Sequence, residues 1–388
     1  MRLLMWIWLA VMASGCAGVR VTAPLPPDLF GDARFALPSA PASAEHLFTL
    51  SPAMQAYLQS PQFTAEARAK GVERGLVDAL YRNGDLKLDY DASLTRDAAQ
   101  TFQARMGNCL SLVIMTAAFA KELKLPVEYH DVAIDEVWSR SGGLYFANTH
   151  VNLSLGHSLS DAYRSAVGSS ALTVDFVPIP DAARLHETNI DEDTIVAMYM
   201  NNRAAELLAA GHIDDAYWWA RKGLARYPGH LNLLNTLGVI YQRHGDLALA
   251  EKAYRTALAR EPDNPHLMHN LVPVLGALGK QAEAQALTAR LARLDPTPAF
   301  YYFKLGQRAM ERGKYDEARR LFAKEVRRAP EYHEFHFWLA LAELRLGDAG
   351  AATEQLSLAV ETSNTREAGQ RYSAKLAHLR SLIARPQF

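Results

Sequence analysis

Three residues spread through the middle of the chain have the side chains that acyl transfer at a thiol requires. Cys109 lies in Arg105-Met106-Gly107-Asn108-Cys109-Leu110-Ser111, where a loop turns into an apolar run over 108–123 that Lys124-Leu125-Pro126 ends. The other cysteine, Cys16, sits in an export-type leader, so Cys109 has no partner for a disulfide. A free thiol, with a pKa of about 8.5, is only a few per cent thiolate at neutral pH, so a nucleophilic cysteine needs positive potential beside it. A helix N-terminus supplies part of that potential and a protonated imidazole the rest. The same placement lets the Cys109 amide act as one donor to a developing oxyanion. Among His46, His130, His150, His157 and His186, the candidate base is His150. Its run, Phe146-Ala147-Asn148-Thr149-His150-Val151-Asn152-Leu153, sends His150 and Asn152 to one face of a strand and Val151 and Leu153 to the other. In Leu172-Thr173-Val174-Asp175-Phe176-Val177 an acid stands among apolar residues. Burying Asp175 is costly without a partner, and pairing it with one imidazole nitrogen while the other faces Cys109 answers that cost. The plainer alternatives are a core cysteine, a satisfied strand histidine and a turn acid.

Residues 45–190 must position these groups. Helical periodicity over 65–83 (Val72, Leu76, Val77, Leu80) precedes a polar stretch with Gly84, Asp85, Asp89 and Asp91, and then the Cys109 helix. Extended segments are expected at 127–134, 143–155 and 171–177. One helix headed by a cysteine and followed by three strands makes an α+β unit.

The order Cys109, His150, Asp175 on helix, strand and strand resembles the transglutaminase-like superfamily of papain-type fold, over about residues 60–180. The local runs Gly107-Asn108-Cys109-Leu110-Ser111, Thr149-His150-Val151-Asn152-Leu153 and Val174-Asp175-Phe176 are most similar to bacterial transglutaminase-like domains fused to tetratricopeptide repeats. The resemblance implies Cys109 as nucleophile, His150 as general base and then acid, and Asp175 as its orienter. It also marks Gln103, six residues before the cysteine, as a side-chain oxyanion donor. Asn152 departs from the family, which often has an aromatic two residues after the histidine, and this bears on the acyl donor rather than on the triad.

From about residue 197 a second pattern takes over. Gly211, Gly245, Gly279, Gly313 and Gly347 are spaced by 34 residues, as are Pro228, Pro262, Pro296 and Pro330, and Ala216, Ala250, Ala284, Ala318 and Ala352. Period and residue types resemble the tetratricopeptide repeat, a pair of antiparallel helices stacking into a solenoid. Five repeats over 197–363 are predicted, with a capping helix and tail over 364–388. In the third repeat Val272 replaces the usual glycine and Pro273 falls inside a helix, which is expected to bend or loosen it. One groove-facing position per repeat gives Asn201, Asn235, His269, Phe303 and Phe337 as candidate contacts for a protein or peptide. The plainer alternative for Phe303 and Phe337 is packing against neighbouring repeats.

At the start of the chain, Arg2 precedes an apolar run over 3–13 and then Ala13-Ser14-Gly15-Cys16. The run is far shorter than the roughly 20 residues that cross a bilayer, and reads as a signal peptide. The small residues before Cys16 resemble the bacterial lipoprotein cleavage box. That resemblance implies lipidation of Cys16 and, with Ala17 following, an outer-membrane anchor facing the periplasm. Residues 17–44, rich in Pro and Ala, are expected to form an extended tether. A formal net charge of −1 argues against nucleic acid as the main partner. Neither a metal site nor a cofactor is expected: His130, Asp131, Asp135 and Glu136 are scattered by strand alternation, and no nucleotide-binding signature occurs. The fold class is thus a transglutaminase-like α+β domain followed by an all-α tetratricopeptide-repeat solenoid. The functional expectation is a Cys-His-Asp thiol site acting on amides, as peptidase, amidase or transamidase. Its rival is a non-catalytic adaptor for an envelope assembly.

Overall fold

The computed structural model describes residues 24–82, 88–141, 144–156, 172–176 and 186–383. The leader with Cys16, His157 and the tail beyond residue 383 lie outside the described residues.

An apolar segment with no polar face has a stable place only inside a core. Helix α5 (Cys109–Glu122) obeys this, with residues 110–120 all buried. Helices α1 (Pro52–Leu58), α2 (Pro61–Lys70), α3 (Val72–Val77) and α4 (Ala98–Ala104) precede it. Phe63, Leu76 and Phe102 pack in one core with α5. The single helix expected over 65–83 breaks at Gly71, whose φ of 87° other residues resist, and resumes as α3 and a π-helical turn Asp78–Arg82. Two short strands not foreseen, β1 (Asp89–Tyr90) and β2 (Met106–Gly107), pair in parallel, with Tyr90 opposite Gly107.

Behind α5 stands a four-stranded antiparallel sheet in the order β5-β4-β3-β6. Its strands are β3 (Val127–Ser141), β4 (Leu144–Leu155), β5 (Leu172–Val174) and β6 (His186–Ile190), the last not foreseen. Val151, Leu153 and Leu155 of β4 and Val174 of β5 pack in the core with α5. The register between β3 and β4 shifts between Val132 and Val137, beside the pair Val132–His150.

Five helix pairs follow: α6 (Glu192–Ala209) with α7 (Ile213–Arg226), α8 (Leu231–His244) with α9 (Leu247–Leu258), α10 (Pro265–Ala277) with α11 (Gln281–Leu294), α12 (Tyr301–Glu311) with α13 (Tyr315–Arg328), and α14 (His333–Arg345) with α15 (Ala349–Glu361). Helix α16 (Arg366–Ile383) closes the array. Each glycine of the 34-residue comb ends a first helix with positive φ, between 69° and 96°, a conformation that side chains resist. A second constraint acts where the two helices of a pair touch. A Cβ on Gly238 would meet the Tyr254 ring at 2.5 Å, and one on Gly306 the Phe322 ring at 2.5 Å. In the third pair the same two positions hold Val272 and Thr288, so a larger residue faces a smaller one. Pro273 does not end α10, which runs on to Ala277. Helix α10 itself buries Leu267, Met268, Leu271, Val274 and Leu275, whereas its partner α11 buries only Ala284 and Leu291.

Helix α6 serves both halves of the molecule. Ile195, Tyr199 and Met200 belong to the core of α5, whereas Ala197, Ala204 and Leu208 belong to the core of the first repeats.

Of the extended tether expected over 17–44, residues 17–23 lie outside the described residues and 24–44 pack against the repeats instead. Their prolines exclude regular helix, yet Leu29, Phe35 and Ala42 are buried. Phe35 stacks on Tyr217 with ring centroids 3.9 Å apart, Tyr241 Oη donates to the Leu29 carbonyl at 2.8 Å, and Trp218 Nε1 donates to the Ala36 carbonyl at 2.6 Å. Arg34 pairs with Asp246 at 2.6 Å. The segment is a strap across α7, α8 and the start of α9. Burying a side chain the size of Phe or Leu contributes about 1.5–3 kcal/mol, which holds the strap against the entropy of a free chain.

Candidate functional site

Cys109 is the first residue of α5, and the turn that presents it is tightly built. Asn108 is the N-cap: its Oδ1 accepts from the Ser111 amide at 2.9 Å and the Ser111 hydroxyl at 2.8 Å. Gly107 is obligatory, because a Cβ there would stand 2.7 Å from Ser111 Cβ. Arg105, at φ 55°, turns the chain out of α4 in the left-handed region. Cys109 is a free thiol, half-buried at the end of the core.

The sheet register brings the other two residues together. Leu153 pairs with Val174, so Asp175, one step beyond β5, falls opposite Asn152 and diagonal to His150. Side chains at a diagonal position are within reach of one another. His150 Nε2 lies 2.8 Å from Asp175 Oδ1, with His150 only 5% exposed and the Asp175 side chain 25% exposed. Cys109 stands near enough to the His150 ring to help raise its pKa. With Nε2 engaged by Asp175, the nitrogen left for sulfur is Nδ1. Burial lowers the His150 pKa, but the hydrogen bond to Asp175, the neighbouring Cys109 and the charges of both outweigh it, and the ring is pushed up to about 9. Near neutral pH the ring is therefore an imidazolium, held between a carboxylate and a sulfur. A second acid, Asp131, lies opposite Val151 on β3; burial raises its pKa and the His150 charge draws it back down.

Gln103 is corrected. It is exposed on α4, and the aromatic that the fold brings alongside the Cys109 turn is Tyr90, opposite Gly107. Sequence reasoning passed over Tyr90 because a two-residue strand has no periodicity; the one available signal was an aromatic between the acids Asp89 and Asp91.

The segment bearing Tyr90 is held by both ends of the repeat array. The Thr95 amide donates to Glu206 Oε1 of α6 at 2.6 Å, and Thr95 Oγ1 accepts from Asn108 Nδ2 at 2.8 Å and Asn202 Nδ2 at 3.2 Å. From the far end, the Asn364 carbonyl accepts from the Ala92 amide at 2.8 Å, and Arg366 lies 3.7 Å from Asp89.

The candidate groove row is also revised. Asn201 accepts from Thr236 at 2.7 Å and Asn235 from Asn270 at 2.8 Å, so both tie successive first helices together. Phe303 is fully buried between Phe300, Phe322 and Trp338 and presents nothing to a groove. Phe337 is half-buried, stacked on Tyr372 of the closing helix at 5.0 Å. His269 alone of the five is exposed. The aromatic positions went to packing because a solenoid has only its neighbouring repeats from which to build a core.

Tetratricopeptide-repeat family models match residues 232–264 and 303–367. Among curated relatives, a TPR repeat-containing protein of Pseudomonas aeruginosa is 31% identical over 154 residues, 39% of this chain and 26% of the relative. A probable biofilm formation methyltransferase of Pseudomonas putida is 34% identical over 89 residues, 23% of this chain and 21% of the relative. The chain thus spans about a quarter of the length of these relatives. Among solved structures, a thermophilic TPR protein of Thermus thermophilus is 20% identical with a TM-score of 0.31, covering 47% of this chain and 99% of that one. A tetratricopeptide repeat protein of Parabacteroides merdae is 14% identical with a TM-score of 0.28, covering 49% and 74%. The second half of the chain is a helical solenoid of tetratricopeptide repeats, an architecture that binds peptide or protein partners.

Proposed function

We propose that the protein is a thiol-dependent acyl-transfer enzyme of transglutaminase-like type whose repeats bind a protein substrate or partner. The observation that carries this reading is that His150, hydrogen-bonded to Asp175, also stands beside Cys109, three residues far apart along the chain. In the reaction the Cys109 sulfur attacks an amide carbonyl, the His150 imidazolium protonates the departing amine, and a thioester remains. The now neutral imidazole then takes a proton from water, for hydrolysis, or from a second amine, for transamidation. Asp175 fixes the ring and favours its charged form. The leader over 1–16 and its cysteine support a lipid-anchored envelope location for this activity.

The test is alkylation of the purified mature protein by a low dose of iodoacetamide at pH 6–7, read by peptide mass spectrometry. Cys109 is expected to react about tenfold or more faster than glutathione, and a His150→Gln variant to lose that advantage. Labelling of Cys109 no faster than glutathione overturns the enzyme. The repeats support a second reading, an adaptor without turnover. On that reading Cys109→Ala leaves cellular function intact while disruption of the repeats abolishes it; the enzyme predicts loss in both.

A further inference from the structure

The two ends of the repeat array meet at one short segment. Thr95 is held by Asn202 and Glu206 of α6, and Ala92, three residues earlier, donates to the Asn364 carbonyl at 2.8 Å. Three residues span at most about 11 Å, so the start of α16 lies close to α6, although all five helix pairs run between them. Stacked in a straight row at about 8–10 Å per step, those pairs would carry α16 some 40–50 Å away. The array is therefore bent back into a ring, and the bend has a place. Glu283 and Arg290 of α11 turn to the preceding pair, where they meet Arg255 and Asp263. On the opposite side of α11, Gln285, Thr288 and Ala292 are exposed. The matching residues of α9 are covered, with Glu251 and Tyr254 buried and Leu258 half-buried. The core of the first three pairs and the core that begins at Phe300 share no side chain among the described residues. Phe300 itself, at φ 61°, turns the chain between them.

The contact that closes the ring is small and polar. Beside the Ala92–Asn364 bond it holds the pair Asp89–Arg366, 3.7 Å apart with both side chains exposed. The apolar residues of α16 pack elsewhere: Leu376 and Leu379 lie with Ala340, Ala352 and Leu356 of the last pair. Asn364 is set for the contact, since its Oδ1 lies 3.2 Å from His333 Nε2, and His333 Nδ1 lies 2.8 Å from the Tyr372 hydroxyl. The gripped segment is in turn wired into the Cys109 turn. The Asp89 amide donates to the Arg105 carbonyl at 3.0 Å, the Asp91 amide to the Gly107 carbonyl at 3.1 Å and the Arg96 amide to Ser111 Oγ at 2.9 Å. Asn108, the N-cap of α5, donates to Thr95 Oγ1 at 2.8 Å.

We propose that the far end of the array is a releasable clasp on the Cys109 turn, with Asn364 and Arg366 as positioning residues, so that the curvature of the repeats sets the reactivity of Cys109. A protein partner that straightens the array at the bend between α11 and α12 draws Asn364 away from Ala92 and loosens the strand beside Gly107. A partner that fits the bent array holds the turn in place. The positioning role rests on Cys109 being the nucleophile; the clasp itself does not.

Two measurements on the purified mature protein read the clasp and its consequence separately. Hydrogen exchange resolved to the Ala92 amide reports whether the clasp is shut, and iodoacetamide alkylation of Cys109 reports the turn. In Arg366→Glu, which sets two carboxylates against each other, exchange at Ala92 is expected to rise about tenfold. Alkylation is expected to slow about threefold or more, with exchange of the α5 amides unchanged. The charge swap, Asp89→Arg with Arg366→Glu, is expected to restore both rates, which mere damage to the fold would not allow. Unchanged exchange at Ala92 in Arg366→Glu overturns the clasp. Faster exchange with unchanged alkylation overturns the positioning role, as does a swap that restores neither. Asn364→Ala keeps both charges and frees the backbone from His333, and it is expected to reproduce the two shifts; absence of both overturns the part given to Asn364. Wild-type Cys109 that resists alkylation strikes the enzyme and the positioning role together, and exchange at Ala92 then still decides the clasp.

Discussion

Replacing Asp175 by Asn keeps the shape of the side chain and removes its charge, and the consequence for His150 follows from the geometry. In the folded protein the ring is pushed up to about 9 from an ordinary value of 6.5. At 1.36 kcal/mol per unit, that difference amounts to about 3 kcal/mol in favour of the folded, charged form. The sign is that of a base with a raised folded pKa: the contribution is complete below about pH 6.5 and is lost as pH rises through 9. Burial opposes the charge, and only Asp175 and Cys109 support it. In Asp175→Asn the ring is expected to titrate at least one unit lower, a loss of about 1.4 kcal/mol or more. Titration of ¹³C-histidine-labelled protein, with the His150 resonance identified from the spectrum of His150→Gln, reads the midpoint directly. Melting curves at pH 6 and pH 9.5 supply the second measure, since the variant loses stability mainly at the lower pH. A His150 midpoint that stays near 9 without the Asp175 charge refutes the assignment of Asp175 as its partner.

Two further outcomes concern the frame around the site. Phe35→Ala removes the ring stacked on Tyr217 and is expected to cost about 3 kcal/mol, freeing the strap so that trypsin cleaves at Arg34 many times faster; an unchanged cleavage rate means that Phe35 does not anchor it. Gly238→Ala places a methyl 2.5 Å from the Tyr254 ring and is expected to cost about 1–3 kcal/mol, whereas Val272→Gly, opposite the smaller Thr288, is expected to cost less. Thermal melts that rank these two the other way refute the pairing of the two positions.

Much of the repeat half was legible in the amino-acid row because its constraints are local and recur. A glycine is needed wherever the chain turns with positive φ after a first helix, and the five glycines at a 34-residue interval record that need. The Cys109 helix was legible for a similar reason: an Asn cap, a cysteine and an unbroken apolar run fix start, direction and burial within 15 residues. Residues whose surroundings come from elsewhere in the chain were harder to read. Phe303 as a groove residue and Phe303 as a core residue are written with the same letter, and only the placement of Phe300, Phe322 and Trp338 decides between them. Residues 24–44 have the composition of a tether and became a strap because Tyr217, Trp218 and Tyr241, some two hundred residues away, offer stacking and hydrogen-bonding partners.

The sequence by itself determined that the chain builds a helical repeat array and that Cys109 heads a buried helix, and it singled out His150 and Asp175 as a candidate pair. Covalent order, periodicity and the cost of burying a lone charge sufficed for that, since each acts over a few residues. The tertiary structure alone decided that Asp175 lands diagonal to His150, that Tyr90 lies opposite Gly107 beside the Cys109 turn, and that both ends of the solenoid grip the segment between them. Those are matters of register and docking, in which a shift of one residue turns a side chain to the opposite face, and one row of letters does not record which register packs best.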